Sequence, residues 1–196
     1  MLYPQHKSVP QTLVTKQFLL RAITIADVEL DYNAVMSSKD LLRRLFQSTW
    51  PADDFTLAAN RKDLEHHVQL AEGREQFTYT MLNSDKTLCL GAVYVRPLRV
   101  PPPEWTLRTG DFPLPVEGEA AIDFWVTPSA SSDNLDRDLV AVLLDWFDNV
   151  WDFPRVSYRT NENMPHQVEI LQAHGLRERY LIKRPNNLPN RVIYSR

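Results

Sequence analysis

Hydrophobic residues recur along this chain with two different periods. Segment 17–23 is apolar and predicts a first strand, and Thr24 with Asp27 three residues later has the pattern of a capping box at a helix start. Helical spacing of apolar residues then follows in three stretches, at residues 28–36, 41–46 and 64–71. Asn60 is the predicted N-cap of the third stretch. The pattern therefore predicts a strand followed by three helices.

The period changes to two after residue 76. Apolar and polar residues alternate from Phe77 to Met81, turn residues occupy 83–86, and segment 87–95 returns as a more apolar strand. This pattern predicts an antiparallel hairpin.

Residues 97–119 form a proline-rich insertion. Its prolines are Pro101, Pro102, Pro103, Pro113 and Pro115, besides Pro97 at its start. Proline fixes φ and removes a backbone donor, so neither a helix nor a central strand is predicted here. The segment is predicted to be a long surface loop. Trp105 and Phe112 at its apex leave open a role as a substrate lid or as a contact surface for a partner or a second subunit.

Strands and helices alternate through the second half of the chain. The predicted elements are a strand at 120–126, a long amphipathic helix at 135–150, a short strand at 156–159, a helix at 165–175 and strands at 176–183 and 191–194. This alternation predicts an α/β sheet covered by helices.

The composition is that of one globular domain. The chain has 196 residues, of which 43% are hydrophobic, and residues 1–16 are interpreted as an N-terminal extension. The formal charge is −3, with acids and bases interspersed, which argues against a nucleic-acid partner. Neither a leader-like start nor a membrane-spanning apolar run is visible. A cytoplasmic protein without a membrane partner is therefore expected.

Cysteine and histidine indicate no special chemistry. Cys89 lies in an apolar, strand-like run without a nearby base, which favours a structural role. His66 and His67 are adjacent in a helix and point about 100° apart, so they do not bind one metal together. No metal site is predicted.

Four motifs occur in the order of the predicted elements. They are Phe18-Leu19-Leu20-Arg21 followed by Asp27, Leu90-Gly91-Ala92-Val93-Tyr94, Asp123-Phe124-Trp125-Val126-Thr127-Pro128, and Asn161 and Asn163 with Gly175-Leu176. In this order the chain resembles the GNAT superfamily of acyl-CoA-dependent N-acyltransferases from about Phe18 to Lys183. The resemblance implies a mixed, mainly antiparallel sheet flanked by helices on both faces. It also implies that this sheet splays between strands 120–126 and 155–159.

The resemblance implies acetyl-CoA as a co-substrate. In the superfamily the fourth strand, here Phe124, Trp125 and Val126, pairs its backbone with the pantetheine arm. A glycine-rich loop then binds the pyrophosphate at a helix start. The corresponding loop of this chain, residues 129–136, has no glycine. The predicted cofactor-binding residues are the three strand residues together with Ser131, Ser132, Asp133, Asn134 and Asn163.

The altered loop has two interpretations. Ser131, Ser132 and Asp133 are good N-caps, so helix capping alone explains them, whereas their hydroxyls can also donate to a phosphate. The carboxylate of Asp133 repels a neighbouring pyrophosphate by about 1 to 4 kcal/mol, against roughly 0.3 to 1 kcal/mol gained from the helix end. Acetyl-CoA is therefore expected to bind weakly.

The catalytic groups that the resemblance implies are partly missing. Where the superfamily has a tyrosine general acid, this chain has Leu171. Asp123 and Glu119 are the candidate catalytic bases because they lie on or just before the fourth strand, although Asp123 could equally be a carboxylate satisfied on the sheet face. Tyr158 and Tyr180 are interpreted as ordinary strand aromatics rather than substitute acids.

Two functions follow from these observations. The first is an N-acetyltransferase that moves an acetyl group from acetyl-CoA to an unidentified small-molecule or peptide amine. The second is a catalytically inactive GNAT-fold binding or interaction module that has lost cofactor binding, which the altered loop and the missing tyrosine favour. A homodimer is compatible with either.

Overall fold

The computed structural model describes residues 1–100 and 103–196. The strands are β1 (Thr12–Val14), β2 (Phe18–Ala22), β3 (Phe77–Asn83), β4 (Cys89–Pro97), β5 (Thr106–Arg108), β6 (Ala120–Val126), β7 (Val156–Asn161), β8 (Arg177–Ile182) and β9 (Arg191–Ser195). The helices are α1 (Val28–Ser37), α2 (Lys39–Phe46), α3 (Leu57–Glu72), α4 (Pro128–Ser132), α5 (Leu135–Asn149) and α6 (Pro165–Ala173), with short 3₁₀ helices at Ile25–Asp27 and Pro103–Trp105. None of the helices formed by the described residues is long and apolar enough to cross a membrane.

The strands form one sheet in the order β1-β2-β3-β4-β6-β7-β9-β8-β5. Neighbouring strands in the described ranges are antiparallel except β6 and β7, which run parallel. The predicted fold class, a mixed and mainly antiparallel sheet, is confirmed.

Helices cover both faces of this sheet, and its central strands are therefore buried on both sides. Along β6, Phe124 packs into a cluster with Leu139 and Leu143 of α5, while the next residue, Trp125, packs with Val35 of α1 and Leu42 of α2. This alternation is the period of two that a strand imposes. The predicted flanking by helices on both faces is confirmed.

The N-terminal extension, residues 1–16, packs in part against the rest of the chain. Leu2 and Tyr3 are buried, and the Tyr3 ring contacts Trp151 with 5.0 Å between ring centroids. β1 pairs with the edge of β2. A three-residue strand has no periodicity of its own, so only the free edge of β2 defines it.

The proline-rich insertion contains a strand that its sequence did not predict. β5 pairs antiparallel with β8 at the end of the sheet, where proline-flanked strands are tolerated. Phe112 is buried beneath the Arg177 guanidinium rather than exposed at an apex, while Trp105 is 45% exposed. Pro101 and Pro102 lie outside the described residues.

The helix starts agree in part with their predicted caps. Thr24 and Asp27 form the predicted capping box, in which the Thr24 amide donates to the Asp27 carboxylate over 2.9 Å. The third helix begins one turn earlier than predicted, with Thr56 as its N-cap. Asn60 is instead buried, and its Nδ2 donates to Oδ2 of Asp31 on α1 over 3.0 Å. It joins α1 to α3.

Candidate active site

The sheet opens at the carboxyl ends of β6 and β7. The two strands pair only from Ala120 opposite Val156 to Ile122 opposite Tyr158, and they separate beyond that point. The Thr127 amide donates to the Leu90 carbonyl on β4 over 2.7 Å. Since backbone groups alternate between the two sides of a strand, those of Phe124 and Val126 point into the opening. The predicted splay is confirmed.

Gly91 on β4 allows this part of the sheet to pack closely. A Cβ atom at this position would lie 2.1 Å from the Trp125 carbonyl oxygen on β6. No side chain fits there, so the glycine is required by the close approach of the two strands.

A cavity of about 760 Å³ occupies the opening, and we call it the cleft. Four groups of residues line it: 36–41 with Arg44 around the junction of α1 and α2, Phe124 and Val126 of β6, Pro128, Ser131 and Asp136 of α4 and α5, and 163–167 at the start of α6. Among the predicted cofactor-binding residues, Phe124, Val126, Ser131 and Asn163 line the cleft.

Gln167 crosses the inner part of the cleft. Its side chain is buried, Nε2 donates to the Phe124 carbonyl over 2.9 Å, and Oε1 accepts from Thr160 Oγ1 on β7 over 2.8 Å. A glutamine amide therefore makes, with the open strand, the kind of hydrogen bond that an amide of an extended ligand would make.

The loop without glycine is folded as helix α4. Thr127 is its N-cap, Pro128 occupies the first turn, and Ser131 and Ser132 are its last residues. The prediction that Ser131, Ser132 or Asp133 is a helix N-cap is wrong, because proline at the first helical position starts a helix one turn earlier, and Asp133 is instead the C-cap of α4. Asn134, with a left-handed backbone, is the N-cap of α5.

A buried carboxylate faces the cleft at this point, and it belongs to Asp136 rather than to Asp133. Asp136 Oδ2 accepts from Ser131 Oγ over 2.6 Å and lies 2.7 Å from His166 Nε2. Asp133, like Ser132 and Asn134, is exposed and does not line the cleft. Ser131, His166 and Asp136 do not form a nucleophilic triad, because the serine hydroxyl and the carboxylate both face the same histidine nitrogen, Nε2.

Asp123 is buried and bound to two guanidinium groups. Arg159 Nε lies 2.6 Å from Oδ1, a second Arg159 nitrogen reaches Oδ2, and Arg96 Nη1 lies 3.2 Å from Oδ2. Burial raises the pKa of Asp123, but the charges of Arg159 and Arg96 outweigh burial, so the pKa is held below its ordinary value. A carboxylate held in this state accepts a proton poorly. Its role as a base stays a prediction, and these contacts weigh against it.

Glu119 is fixed in a similar way outside the cleft. Its Oε2 accepts from Arg179 over 2.6 Å, and its Oε1 accepts from Arg155 over 2.5 Å. Both Glu119 and Arg179 are fully buried. These contacts indicate a structural ion-pair network, and the catalytic role of Glu119 also stays a prediction.

No family model matches the sequence, and no curated protein matches it. Solved structures are similar in fold. The chain superimposes on RimL, a ribosomal L7/L12 alpha-N-protein acetyltransferase in complex with coenzyme A, with a TM-score of 0.72 and 14% identity. The superposition covers 94% of this chain and 96% of RimL. With MccE, the microcin C7 self-immunity acetyltransferase in complex with acetyl-CoA and AMP, the TM-score is 0.69 at 11% identity, covering 93% of each chain. With a ribosomal-protein-S5-alanine acetyltransferase from Vibrio fischeri it is 0.63 at 13% identity, covering 95% and 96%.

The chain has the GNAT fold. The predicted resemblance to this superfamily is thereby confirmed at the level of the fold, and the cleft lies at the opening of the GNAT sheet. Leu171, at the position predicted from the GNAT tyrosine, is completely buried. Tyr158 and Tyr180 are buried as well, with hydroxyls that find no hydrogen-bond partner among residues 1–100 and 103–196.

Sequence reasoning missed four residues of the GNAT-fold cleft. Asp136, His166 and Gln167 come together from α5 and α6, and Ser38 contributes a buried hydroxyl that has no hydrogen-bond partner within the described ranges. The polar residues next to Pro165 at a predicted helix start were the available signal. His166 contacts Asp136 across 30 residues and Gln167 contacts Phe124 across 43, so no local pattern identifies these two contacts.

Other polar side chains do not add to the site. Burial raises the pKa of the Cys89 thiol far above its ordinary value, in agreement with the predicted structural role. No group of three or more potential metal ligands occurs among the residues whose positions the structure gives.

Proposed function

We propose that this protein is an N-acetyltransferase that uses acetyl-CoA and a small-molecule or peptide amine. The observation that carries the proposal is the splay of β6 from β7, which leaves the backbone of Phe124 and Val126 pointing into a cleft of about 760 Å³. Several structures of the same fold are named as acetyltransferases of ribosomal proteins, which supports an amine of a peptide or protein as acceptor.

The cleft fits the two ends of acetyl-CoA unequally. An extended amide-containing arm fits beside the open strand, where Phe124 and Val126 offer backbone groups, the Phe124 carbonyl only after Gln167 is displaced from it. The phosphate end fits less well, because the buried Asp136 carboxylate lies where a glycine-rich loop would present amides. Lys39 and Arg44 are the cationic side chains in the lining, and they would offset part of this repulsion.

When bound, acetyl-CoA supplies the acetyl group as a thioester. In the proposal, the residues of this chain bind and orient the co-substrate. The backbone of β6 orients the arm, and Asn163 and Ser131 border it. Asp123, Glu119 and the remaining predicted cofactor residues, Trp125, Ser132, Asp133 and Asn134, stay predictions, as does a homodimer.

Calorimetry on the full chain tests the proposal. Acetyl-CoA is expected to bind with a Kd above about 100 μM, or roughly −5.5 kcal/mol or weaker. Acetyl-pantetheine, which lacks the nucleotide and its phosphates, should bind within about threefold of acetyl-CoA if the phosphate end contributes little. Release of free thiol with a panel of amines then measures acetyl transfer.

Two results would count against this account. If acetyl-CoA binds at low micromolar Kd and acetyl-pantetheine does not, the phosphate end is recognised after all and the reasoning about Asp136 is wrong. If neither ligand binds at millimolar concentration, the acetyltransferase proposal fails, and a binding module with the GNAT fold is the better description.

A further inference from the structure

Three arginines surround Asp123 on one face of the sheet. Arg96 on β4, Arg159 on β7 and Arg191 on β9 come from strands on both sides of β6. Their positions in the strand register place them on the same face as Asp123, since side chains alternate between faces. This is the face that α1 and α2 cover.

The single carboxylate does not balance these arginines. Asp123 accepts from Arg159 and Arg96, but Arg191 donates no side-chain hydrogen bond to any residue in 1–100 or 103–196. Arg184 is close enough to act on Arg191, and its buried Nε finds no partner among the same residues. Burial and the charges of Arg159 and Arg184 lower the pKa of Arg191 to about 10. Positive charge is therefore in excess around Asp123.

The excess positive charge around Asp123 also acts on His67 of α3. Its ring lies 5.6 Å from the Tyr94 ring, and the Arg96 guanidinium lies 4.8 Å from the same ring on β4. Burial and the positive charge of Arg96 lower the pKa of His67 to about 4. The histidine is neutral at pH 7 and adds no charge of its own.

A second cavity, of about 590 Å³, adjoins this cluster, and we call it the arginine cavity. Arg96 and Arg159 line it beside the point where β6 and β7 separate. Of the acids in its lining, Glu119 is already held by its own arginines, whereas Glu75 and Glu117 are exposed at the surface. The inner part of the cavity is therefore cationic.

A structural role for Asp123 alone would not require this number of arginines. One bidentate guanidinium, here Arg159, satisfies a carboxylate. Arg96 shares this already bound acceptor, and Arg191 has no anionic partner among residues 1–100 and 103–196, which is unfavourable for half-buried guanidinium groups. Such groups are favourable when a ligand brings the missing negative charge, since a guanidinium binds carboxylate and phosphate oxygens well.

We infer that the arginine cavity binds an acceptor amine that carries an anionic oxygen group, either a carboxylate or a phosphate. Arg96 and Arg159 contact this group, and Arg191 strengthens the positive potential from behind them. The inference rests on the proposed acetyltransferase function for the identity of the ligand as an acceptor, but the anion site itself is independent of acetyl-CoA.

The first experiment measures anion binding without acetyl-CoA. Glutarate and inorganic phosphate are titrated calorimetrically into the full chain at constant ionic strength, and into three variants. Arg96→Gln should weaken binding of at least one anion about tenfold, because this variant loses a direct contact with the anion. Arg191→Gln should weaken binding of that anion about threefold, because this variant only lowers the positive electrostatic potential at the site. Arg61→Gln, an exposed arginine of α3, is the matched control and should change nothing.

The second experiment compares acceptors in matched pairs. Phosphoethanolamine is compared with ethanolamine, and peptides with glutamate as second residue are compared with peptides that have glutamine there. The anionic member of at least one pair should have a kcat/KM about tenfold or more higher, and Arg96→Gln should reduce this preference. The pair that responds separates phosphate from carboxylate.

Each result supports or overturns the inference. Equal anion affinities in Arg96→Gln, Arg191→Gln and Arg61→Gln would overturn it, as would a preference for the neutral amines. If Arg96→Gln or Arg191→Gln unfolds, as shown by its denaturation curve, the anion affinity of the other variant decides whether the inference holds. If no amine is acetylated, the proposed function fails, but the anion titration still decides whether the arginine cavity is an anion site.

Discussion

Gln167 should compete with the cofactor for the open strand. Its side chain donates to the Phe124 carbonyl over 2.9 Å and accepts from Thr160 over 2.8 Å, in a buried position. A pantetheine arm that pairs with this carbonyl has to displace the glutamine. The substitution Gln167→Ala removes this competition and leaves the β6 backbone unchanged.

The two hydrogen bonds set the size of the effect. A buried neutral hydrogen bond contributes about 0.5 to 1.5 kcal/mol net, so displacing both costs about 1 to 3 kcal/mol. We therefore expect Gln167→Ala to lower the Kd for acetyl-CoA by at least about fivefold, since 1.4 kcal/mol corresponds to a factor of ten. The same variant without ligand should lose about 1 to 3 kcal/mol of unfolding free energy, because Phe124 and Thr160 lose their partner.

Calorimetry measures the affinity, and urea denaturation measures the unfolding free energy. Gln69→Ala, which truncates an exposed glutamine of α3, is the control and should alter neither quantity. Lower stability together with unchanged or weaker acetyl-CoA binding would refute the reasoning, because it would mean that the cofactor does not use the Phe124 carbonyl.

Three further substitutions test the remaining electrostatics. Burial raises the pKa of Asp31 to about 6, so ionisation of this carboxyl lowers the unfolding free energy by about 3 kcal/mol. This loss is absent below pH 4, where the carboxyl is protonated in both states, and it is complete above pH 6. Asp31→Asn should therefore raise the unfolding free energy by up to this amount at pH 8 and hardly at pH 4, and equal urea midpoint shifts at both pH values would contradict this. Asp136→Asn should strengthen acetyl-CoA binding by about 1 kcal/mol or more in calorimetry, whereas Asp133→Asn, at an exposed position, should leave the affinity unchanged. Equal effects of the two substitutions would show that the Asp136 carboxylate does not repel the cofactor. Glu119→Gln should lower the unfolding free energy by about 3 to 5 kcal/mol in urea, because Arg179 is left buried without its counter-charge; a loss below about 1 kcal/mol would rule out this role.

Most of the larger elements could be predicted from the amino-acid sequence because their signals are local. The strand at 120–126 and the helix that begins at Leu135 lie where the periodicity places them, and the hairpin of β3 and β4 follows from its turn. The GNAT resemblance was carried by the order of such elements, and the fold agrees with it. Local periodicity suffices here because each element shows its own buried face.

The short strands and the site were decided by the tertiary structure. β1 and β5 form only because β2 and β8 offer them free edges. Asp123 reads in the sequence as a plausible base, yet Arg159, 36 residues away, converts it into an ion-paired carboxylate. Gln167 has no local signal for its bond to Phe124 across 43 residues. Proton affinity and hydrogen bonding depend on which groups the fold brings within a few ångströms, and a linear pattern does not contain that distance.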